Sequence, residues 1–224
     1  MDILKTLYRL LFFKLTREEM LSFDIRHFLL GLAGTWVVGM GRYWDDSGAK
    51  WVQHLGLGSV IYIFLLALFI WAILVPFRID RWRYFTVLTF VALTSFPGVV
   101  YAIPVEKFFS VETANTVNVW FLAFVAAWRL ALLYFFLKRF TGLSRGNIIT
   151  VTLMPICVII SILTILNLHR VVFDMMGGVR NPTPHNASYD VLFVLTGLSL
   201  ILSIPLLIAY VVGIFKRRKE LVDK

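Results

Sequence analysis

Arg129 is the one ionisable residue well inside a long apolar stretch, residues 115–137, and it lies eight residues before the end of that stretch. A charged side chain at membrane depth costs at least about 2.5 kcal/mol unless a partner satisfies it, which makes the residue a candidate functional site. Asn118 lies on the same helical face, about three turns away. Together they predict an anion, lipid-phosphate or substrate contact. The alternative, which we favour, is a structural arginine bonded to carbonyl groups freed near Pro97 or Pro155.

A second set of polar side chains flanks the apolar stretches on the opposite side from most of the basic residues. The adjacent Asp45 and Asp46 follow Arg42, and they either bind a cation or pair with Arg42 to fix a turn. The turn is favoured, because Asp-Asp-Ser-Gly is strong turn chemistry. The set also contains His54, Glu106 and His169. No pair among these residues has the helical ligand spacing of an HExxH motif, so we predict no metal site.

The motifs of covalent and cofactor-dependent catalysis do not occur in the sequence. There is no GxSxG, no P-loop and no GxGxxG pattern. The single cysteine, Cys157, lies inside an apolar stretch, where we expect an inert thiol, and one cysteine permits no intrachain disulfide. We therefore predict no catalytic residue and no cofactor.

The composition indicates which elements carry these residues. The chain is 59% hydrophobic and 16% charged, with a mean hydropathy of +0.82. Soluble domains are about 45–50% apolar and about 25% charged. The apolar residues here form stretches about 20 residues long, the length of a helix that crosses about 30 Å of hydrocarbon. The predicted fold class is therefore all-α, a polytopic membrane bundle of about six transmembrane helices.

The six spans form one predicted transmembrane domain, residues 25–215. They cover residues 25–44, 52–77, 84–105, 115–137, 148–168 and 189–215. The first is the least apolar, because it contains the four glycines Gly31, Gly34, Gly39 and Gly41. We expect Pro97 and Pro104 to kink or end the third span. We expect Pro155 and Pro205 to bend the fifth and sixth.

A cytosolic segment, residues 1–24, precedes the first span. Residues 2–15 predict an amphipathic helix, with Asp2, Lys5, Thr6 and Arg9 on one face and Ile3, Leu4, Leu7, Leu10 and Leu11 on the other. Such a helix lies in the interface, where Lys5, Arg9 and Lys14 meet anionic lipid headgroups, or it packs on the bundle as an ordinary cytosolic helix. A capping box from Thr16 to Glu19 predicts a second short helix, and Asp24 is a suitable N-cap for the first span.

The basic residues predict the orientation of the spans. Sixteen of them lie in the N-terminal segment, in alternate loops and in a basic tail at residues 216–224, whereas five lie in the opposite loops. Because cytosolic loops are enriched in Lys and Arg, both termini are predicted to be cytosolic. The net charge of +9 does not indicate a nucleic-acid partner, since the basic residues lie beside apolar stretches. We expect an integral protein of a bacterial inner membrane.

Small residues recur at helical spacing in two of the predicted spans. Gly31, Thr35 and Gly39 follow one another every four residues, and Ala123, Ala127 and Ala131 do the same. Small residues at this spacing let helix backbones approach closely in lipid. The two stripes predict packing within the chain or, less often, contact with a second copy.

Three classes of function remain, in order of preference. A non-catalytic component, such as a scaffold, an accessory subunit or a lipid- or envelope-organising protein, explains the lack of soluble domains and motifs. A small oligomeric transporter or channel would use Arg129 and Asn118, but none of the 13 carboxylates lies inside a span, which weakens proton or sodium coupling. An outer-face enzyme would use Asp45 and Asp46. The expected partners are the lipid bilayer, its anionic lipids, and a second copy or a membrane complex.

Overall fold

The computed structural model describes residues 2–45, 48–177 and 187–222. Across these ranges every regular element is helical, so the predicted all-α class is confirmed. The α-helices are α1 (Ile3–Leu11), α2 (Arg17–Leu21), α3 (Ile25–Gly41), α4 (Trp51–His54), α5 (Leu57–Leu74), α6 (Tyr84–Leu93), α7 (Val111–Phe140), α8 (Arg145–Ile165), α9 (His169–Gly177) and α10 (Ala187–Val222). Short 3₁₀ helices cover Val75–Phe77, Phe96–Ala102 and Val105–Lys107.

Five stretches of the described chain are long and apolar enough to cross a membrane. They are Leu57–Phe77, Tyr84–Lys107, Val111–Phe140, Arg145–Ile165 and Val191–Val222. Several long apolar helices of this kind are the mark of an integral membrane protein. The predicted first span corresponds to α3, which has 17 residues. Its length is about 25 Å at helical rise, somewhat less than the hydrocarbon thickness. The sixth crossing therefore stays a prediction.

Gly56 separates two helices where the sequence predicted one continuous span from residue 52. The backbone of Gly56 is left-handed, with φ +64°, so α4 ends at His54 and α5 begins at Leu57. A side chain there would also collide with its surroundings, because an added Cβ atom would lie 2.7 Å from the Met40 nitrogen. Glycine is the residue that adopts this backbone conformation without strain.

Pro97 interrupts the third predicted span, as expected. The α-helical geometry of α6 stops at Leu93, and a 3₁₀ helix, Phe96–Ala102, carries Pro97 in its first turn. Proline disfavours α-helical geometry in the residue before it, which explains the change of helix type. In contrast, α8 continues through Pro155 and α10 through Pro205. The predicted basic tail is helical as far as Val222, because α10 continues to that residue.

The described chain forms two compact units, and the first contains residues 1–103 and 128–143. In this unit α3 packs against α5, α6 and the 3₁₀ helix Phe96–Ala102. A Cβ atom added to Gly31 would lie 2.8 Å from the Cβ atom of Ala92, so only glycine permits this approach. Thr35 Oγ1 lies 2.8 Å from the Gly31 carbonyl oxygen and 2.8 Å from Ser95 Oγ. The Gly31–Thr35–Gly39 stripe therefore mediates packing within the chain.

Aromatic rings join α6 to the second half of α7 inside the same unit. The rings of Phe90 and Phe136 stack with centroids 4.1 Å apart, and Phe140 stacks on Phe136 at 5.3 Å. Trp82 contacts both α7 rings and donates a hydrogen bond to the Trp71 carbonyl oxygen at 3.1 Å. Because offset aromatic pairs add to the energy of burial, this cluster fixes the end of the unit that carries α2.

The N-terminal segment packs on the first unit with one side and exposes the other. Thr6 and Leu10 of α1 are fully buried, although Thr6 was predicted on the polar face. The Trp128 indole donates a hydrogen bond to the Leu11 carbonyl oxygen at 3.2 Å. In contrast, Leu4 and Tyr8 are exposed by 65% and 53%. The buried side therefore agrees with a helix packed on the bundle, and contact of the exposed side with lipid headgroups stays a prediction.

Glu19 joins α1 to α2. Its carboxylate accepts hydrogen bonds from the Thr16 backbone nitrogen at 2.8 Å and the Thr16 hydroxyl group at 2.9 Å, and it forms an ion pair with Arg9. Partial burial alone would raise the pKa of Glu19, but the hydrogen bonds from Thr16 and the charge of Arg9 outweigh it and lower the pKa below the usual 4.5. The predicted capping box is confirmed.

The second unit contains residues 104–127 and 144–224. Its main contact joins α8 to α10, and α9 contacts both helices. Ser161 of α8 and Ser199 of α10 are both buried, which is typical of closely approaching membrane helices. Many side chains of α10 are exposed instead, including Phe193, Ile201 and Phe215. Large apolar side chains on such a surface match a lipid environment.

Two glycine-to-alanine substitutions should have opposite effects on stability. Gly31→Ala places a Cβ atom against Ala92 and its backbone, so we expect the free energy of unfolding to fall by about 1–3 kcal/mol. Gly197→Ala is the matched control, because no atom lies within 4 Å of the added Cβ atom. It should raise stability by about 0.5–1 kcal/mol. Thermal unfolding in one detergent measures both, and an unchanged midpoint for Gly31→Ala would contradict the close packing.

Glu19 should make the docking of α1 and α2 sensitive to acid. A carboxyl group whose pKa is lowered on folding stabilises the structure above its unfolded pKa, and this contribution is lost as the pH falls through the lower, folded value. We therefore expect hydrogen exchange of residues 3–21, corrected for intrinsic rates, to quicken below about pH 4.5 and not between pH 7 and 5. Glu19→Gln should show the faster exchange already at pH 7. Glu18→Gln is the control, and equal behaviour of the two variants would sink this role of Glu19.

Candidate functional site

Arg129 lies in the part of α7 that belongs to the first unit, and its side chain is half-buried. Its guanidinium carbon lies 5.8 Å from the centroid of the Tyr62 ring, which α5 supplies one turn after its start. Within the described part of the chain Arg129 forms no ion pair and no hydrogen bond. Its main partner is therefore the face of an aromatic ring.

Arg42 follows α3 directly and lies between two tyrosine rings. Its guanidinium carbon is 5.3 Å from the Tyr101 ring centroid and 5.5 Å from that of Tyr43. Arg42 has further interactions of its own. The charges of both Arg42 and Arg129 act on the Tyr101 hydroxyl group, and so does the Tyr62 phenol. These four side chains, Arg42, Tyr62, Tyr101 and Arg129, form what we call the arginine–tyrosine cluster.

Close packing of α3 holds the cluster together. A Cβ atom added to Gly41 would lie 2.9 Å from the Cβ atom of Ala102, so α3 ends against the 3₁₀ helix that carries Tyr101. The Trp44 indole donates a hydrogen bond to the Ala102 carbonyl oxygen at 2.9 Å, which secures the turn after α3. Arg42 lies between these two contacts in the chain, and so its side chain meets Tyr101.

The position of the Arg129 guanidinium is energetically costly. A guanidinium at membrane depth costs about 2.5–3.5 kcal/mol, whereas one cation–π contact returns about 0.5–2 kcal/mol. The ring of Tyr62 therefore offsets only part of the cost of placing Arg129. The hydroxyl groups of Tyr62 and Tyr101 have no hydrogen-bond partner among the described residues. The arrangement contains two guanidinium groups, which are planar donors, and two phenol groups.

Asn118 does not share the surroundings of Arg129. Its amide nitrogen donates a hydrogen bond to the Glu106 carboxylate at 2.9 Å, and both residues belong to the second unit. The hydrogen bond ties the start of α7 to the 3₁₀ helix Val105–Lys107. Asn118 and Glu106, which were predicted in two different sites, therefore form one pair.

The remaining predicted site residues are dispersed. Asp45 lies in the turn after α3 and has an interaction partner, while Asp46 lies outside the described residues. His54 ends α4 in the first unit, and His169 begins α9 in the second. The buried Nδ1 atom of His169 has no hydrogen-bond partner among the residues the structure describes. In the described ranges no three His, Cys, Asp or Glu side chains are placed to hold a metal ion.

His27 is a buried titratable residue that the sequence did not single out. Its ring is 5% exposed, and Nδ1 lies 2.7 Å from the Asp24 carboxylate at the N-terminus of α3. This hydrogen bond, with those from the backbone of His27 and Arg26, lowers the pKa of Asp24 below its usual value. Asp24 also caps α3 as predicted, so the pair fixes the first turn of the helix. It has the geometry of a helix cap.

Tyr62 and Tyr101 are the cluster residues that sequence reasoning missed. The position of each tyrosine along its predicted span could have indicated them. Tyr62 lies early in the second span and Tyr101 near the end of the third, so both are expected toward the same membrane face as the loop that follows Arg42. Nothing in the sequence showed that Arg129 reaches the Tyr62 ring. That contact depends on which faces of α5 and α7 meet, which is a property of the packed bundle.

No protein-family model matches the chain, and neither a curated protein nor a solved structure matches it. The geometry of the described residues therefore carries the functional conclusion.

Proposed function

We propose that this chain is a non-catalytic component of the membrane, a scaffold or accessory protein that organises anionic lipid. It crosses the bilayer six times and has both termini in the cytosol of a bacterial cell, in the inner membrane. The observation that carries the proposal is the surface of the N-terminal segment. Apolar side chains and lysines lie side by side there, on a helix that is anchored firmly to the membrane domain.

The exposed surface of α1 has the composition of a lipid-binding face. Leu4, Tyr8 and Phe12 follow one another every four residues and are exposed by 65%, 53% and 48%. Lys5 lies beside this stripe and is exposed, and the Lys14 ammonium lies 5.7 Å from the centroid of the Tyr8 ring. Apolar and aromatic groups enter the headgroup region while lysines meet anionic headgroups. Each such lysine contributes about 1 kcal/mol near an anionic surface.

Arg9 has a different role from Lys5 and Lys14. It forms an ion pair with Glu19 and donates a hydrogen bond to the Lys14 carbonyl oxygen at 3.0 Å. Its charge thus holds the turn between α1 and α2 together. Of the three basic residues first assigned to lipid, Lys5 and Lys14 are the ones we propose to bind it.

The six-span orientation rests on charge and on packing. Lys and Arg are concentrated in alternate loops and at both ends of the chain, which favours cytosolic termini. The helix α3 packs along α5 and α6, which belong to two of the stretches that are long and apolar enough to cross a membrane, Leu57–Phe77 and Tyr84–Lys107. A short helix in this position reaches both interfaces because tilting of its neighbours and local thinning of the bilayer compensate for its length.

The exposed alanine stripe of α7 is the face we propose for a second copy or a membrane-complex partner. Ala123, Ala127 and Ala131 are all exposed, unlike the buried glycine stripe of α3. Small side chains at this spacing permit a close approach between helices from two chains.

Cysteine accessibility tests the topology. Cys157 is the single cysteine, so a Cys157→Ser background carries Lys5→Cys, Lys50→Cys or Lys219→Cys one at a time. We expect a membrane-impermeant maleimide to label position 50 on intact cells, and positions 5 and 219 only after permeabilisation. With five crossings, positions 5 and 50 would lie on one side and position 219 on the other. That pattern would overturn the six-span model.

Charge reversal at Lys5 and Lys14 tests the lipid-organising role. The double variant Lys5→Glu, Lys14→Glu should reduce the enrichment of phosphatidylglycerol over phosphatidylcholine in lipid co-purified from mixed vesicles on the order of tenfold, since two attractive charges become repulsive. Lys216→Glu, Lys219→Glu is the matched control, with two lysines reversed at the other end of the chain. Equal enrichment in the wild type and the N-terminal variant would refute the proposed surface.

A further inference from the structure

The end of α1 lies beside the apolar part of α7. The Trp128 indole donates a hydrogen bond to the Leu11 carbonyl oxygen at 3.2 Å, and the rings of Trp128 and Phe12 lie 6.5 Å apart. Trp128 is nine residues before Leu137, the last apolar residue ahead of Lys138, and nine residues span about 14 Å of helix. The indole and its hydrogen bond together are shorter than this distance. The Leu11 carbonyl therefore lies inside a hydrocarbon layer whose half-thickness is about 15 Å.

The two ends of the same segment lie where membrane-spanning helices begin or end. Asp2, the N-cap of α1, lines a cavity together with Asp24, the N-cap of α3. The guanidinium carbon of Arg17, the first residue of α2, lies 5.7 Å from the ring centroid of Phe140, the last residue of α7. Residues 2–21 therefore enter beside the start of α3, turn near Trp128 and return to the end of α7. We call them the N-terminal hairpin.

The turn of the N-terminal hairpin meets the requirement that hydrocarbon places on a backbone. Each unsatisfied N–H or C=O group costs several kcal/mol in lipid, so a turn at this depth must find partners within the protein. The N–H groups of Phe12, Phe13 and Lys14 donate to carbonyl oxygens of α1. The Lys14 carbonyl oxygen accepts a hydrogen bond from the Arg9 guanidinium at 3.0 Å, as the Leu11 carbonyl does from the indole. Two side chains thus satisfy carbonyl groups that water would satisfy in a solvated turn.

The charges near the turn are neutralised or directed away from it. Arg9 forms an ion pair with Glu19 on the returning helix. The Lys14 ammonium lies 5.7 Å from the Tyr8 ring centroid, so the side chain runs back along α1 toward its N-terminus. Lysines at the edge of a membrane place their stems and charges in this way. The tip itself, residues 11–13, contains one leucine and two phenylalanines.

We propose that the N-terminal hairpin is re-entrant and that its tip inserts among the acyl chains of the cytosolic leaflet. Phe12 and Phe13 are exposed by 48% and 39%, and acyl chains are the partner that covers them. The hairpin adds cross-section to one leaflet only, and the binding of helices inserted in this manner depends on curvature. The protein therefore prefers a convex cytosolic leaflet, in which the lipids are less tightly packed. This inference rests on the proposed lipid surface of α1 and specifies its depth.

Nitroxide labels on one exposed stripe of α1 measure the depth. Leu4→Cys, Tyr8→Cys and Phe12→Cys carry the label one at a time in a Cys157→Ser background, in full-length protein reconstituted into phosphatidylglycerol–phosphatidylcholine vesicles. The accessibility of each label to oxygen, relative to a water-soluble nickel chelate, gives its depth. We expect position 12 to be deepest and position 4 shallowest, with a difference of up to about 12 Å, the rise of eight residues. Equal depths, as in a helix lying flat at the headgroups, would overturn the hairpin.

Sorting between a giant vesicle and a narrow membrane tube pulled from it measures the curvature preference. An impermeant fluorescent maleimide, added outside, labels Lys219→Cys in the Cys157→Ser background, so only molecules with the cytosolic side outward are seen. We expect these to be enriched on the tube at least about twofold, because the tip favours the convex leaflet. An even distribution would overturn the curvature preference.

A pair of tip substitutions with a matched control assigns the sorting to the hairpin. Phe12→Ser, Phe13→Ser should abolish the enrichment. Phe108→Ser, Phe109→Ser is the control, because it removes two adjacent phenylalanines that are exposed by 72% and 51% outside the hairpin. It should keep the enrichment. Equal sorting of the two double variants would overturn the role of the tip.

The depth measurement separates this inference from the proposed anionic-lipid role. A depth gradient along α1, found together with unchanged phosphatidylglycerol enrichment in Lys5→Glu, Lys14→Glu, would keep the hairpin and refute the anionic-lipid role. Equal depths at the three labelled positions, with enrichment lost in that charge-reversed variant, would keep the anionic-lipid role and overturn the hairpin.

Discussion

The close approach of α3 to α6 is the contact on which the first unit depends. It exists because Gly31 has no side chain where the Ala92 backbone passes, and because the Thr35 hydroxyl group donates a hydrogen bond to Ser95 Oγ between the helices. In hydrocarbon, packing and such polar contacts replace the hydrophobic effect as the force that joins helices. The same approach continues to the end of α3, where Gly41 meets Ala102. A helix with bulkier residues would stand further away, and the turn that follows it would not reach the 3₁₀ helix.

Charge placement in the cluster follows from this packing. Arg42 sits directly after Gly41, so the distance between α3 and the 3₁₀ helix decides whether its guanidinium meets the Tyr101 ring. Arg129 approaches from α7, whose position in the unit is set by the stacked rings of Phe90 and Phe136 about two turns away. Two separate packing contacts, one made of glycine and one of aromatic rings, thus bring Arg42 to the Tyr101 ring and Arg129 to the Tyr62 ring.

The sequence was sufficient to predict the fold class and the caps of individual helices. Long apolar stretches, the capping box at Thr16 and the N-cap at Asp24 depend on residues close together in the chain, and the structure contains each of them. The break between α4 and α5 was not predicted. It arises because Gly56 lies against the backbone of Trp36 and Met40, a contact between distant residues that turns a permissive glycine into a required one.

The candidate site, too, was only partly predictable from the sequence. Arg129 was identifiable because an isolated charge in an apolar stretch is costly wherever the helix lies. Its grouping with Asn118 relied on a shared helical face, but Asn118 bonds to Glu106 instead. A helix as long as α7, with 30 residues, crosses several environments, so residues on one face need not share a site. The true neighbours of Arg129 come from other helices, and one-dimensional spacing carries no information on them.

The presence of arginine at position 129, where lysine would carry the same charge, agrees with its position beside an aromatic ring. A lysine ammonium is a compact, strongly hydrated charge that is most stable where water reaches it. A guanidinium is planar, weakly hydrated and able to stack on a ring while its edge donors remain available. The Arg129 guanidinium carbon lies 5.8 Å from the centroid of the Tyr62 ring. A purely structural cation would gain most by bonding to backbone carbonyl groups, as the indoles of Trp44 and Trp82 do. Among the described residues Arg129 has the Tyr62 ring beside it and no such carbonyl acceptor, so its surroundings differ from those of the two indoles.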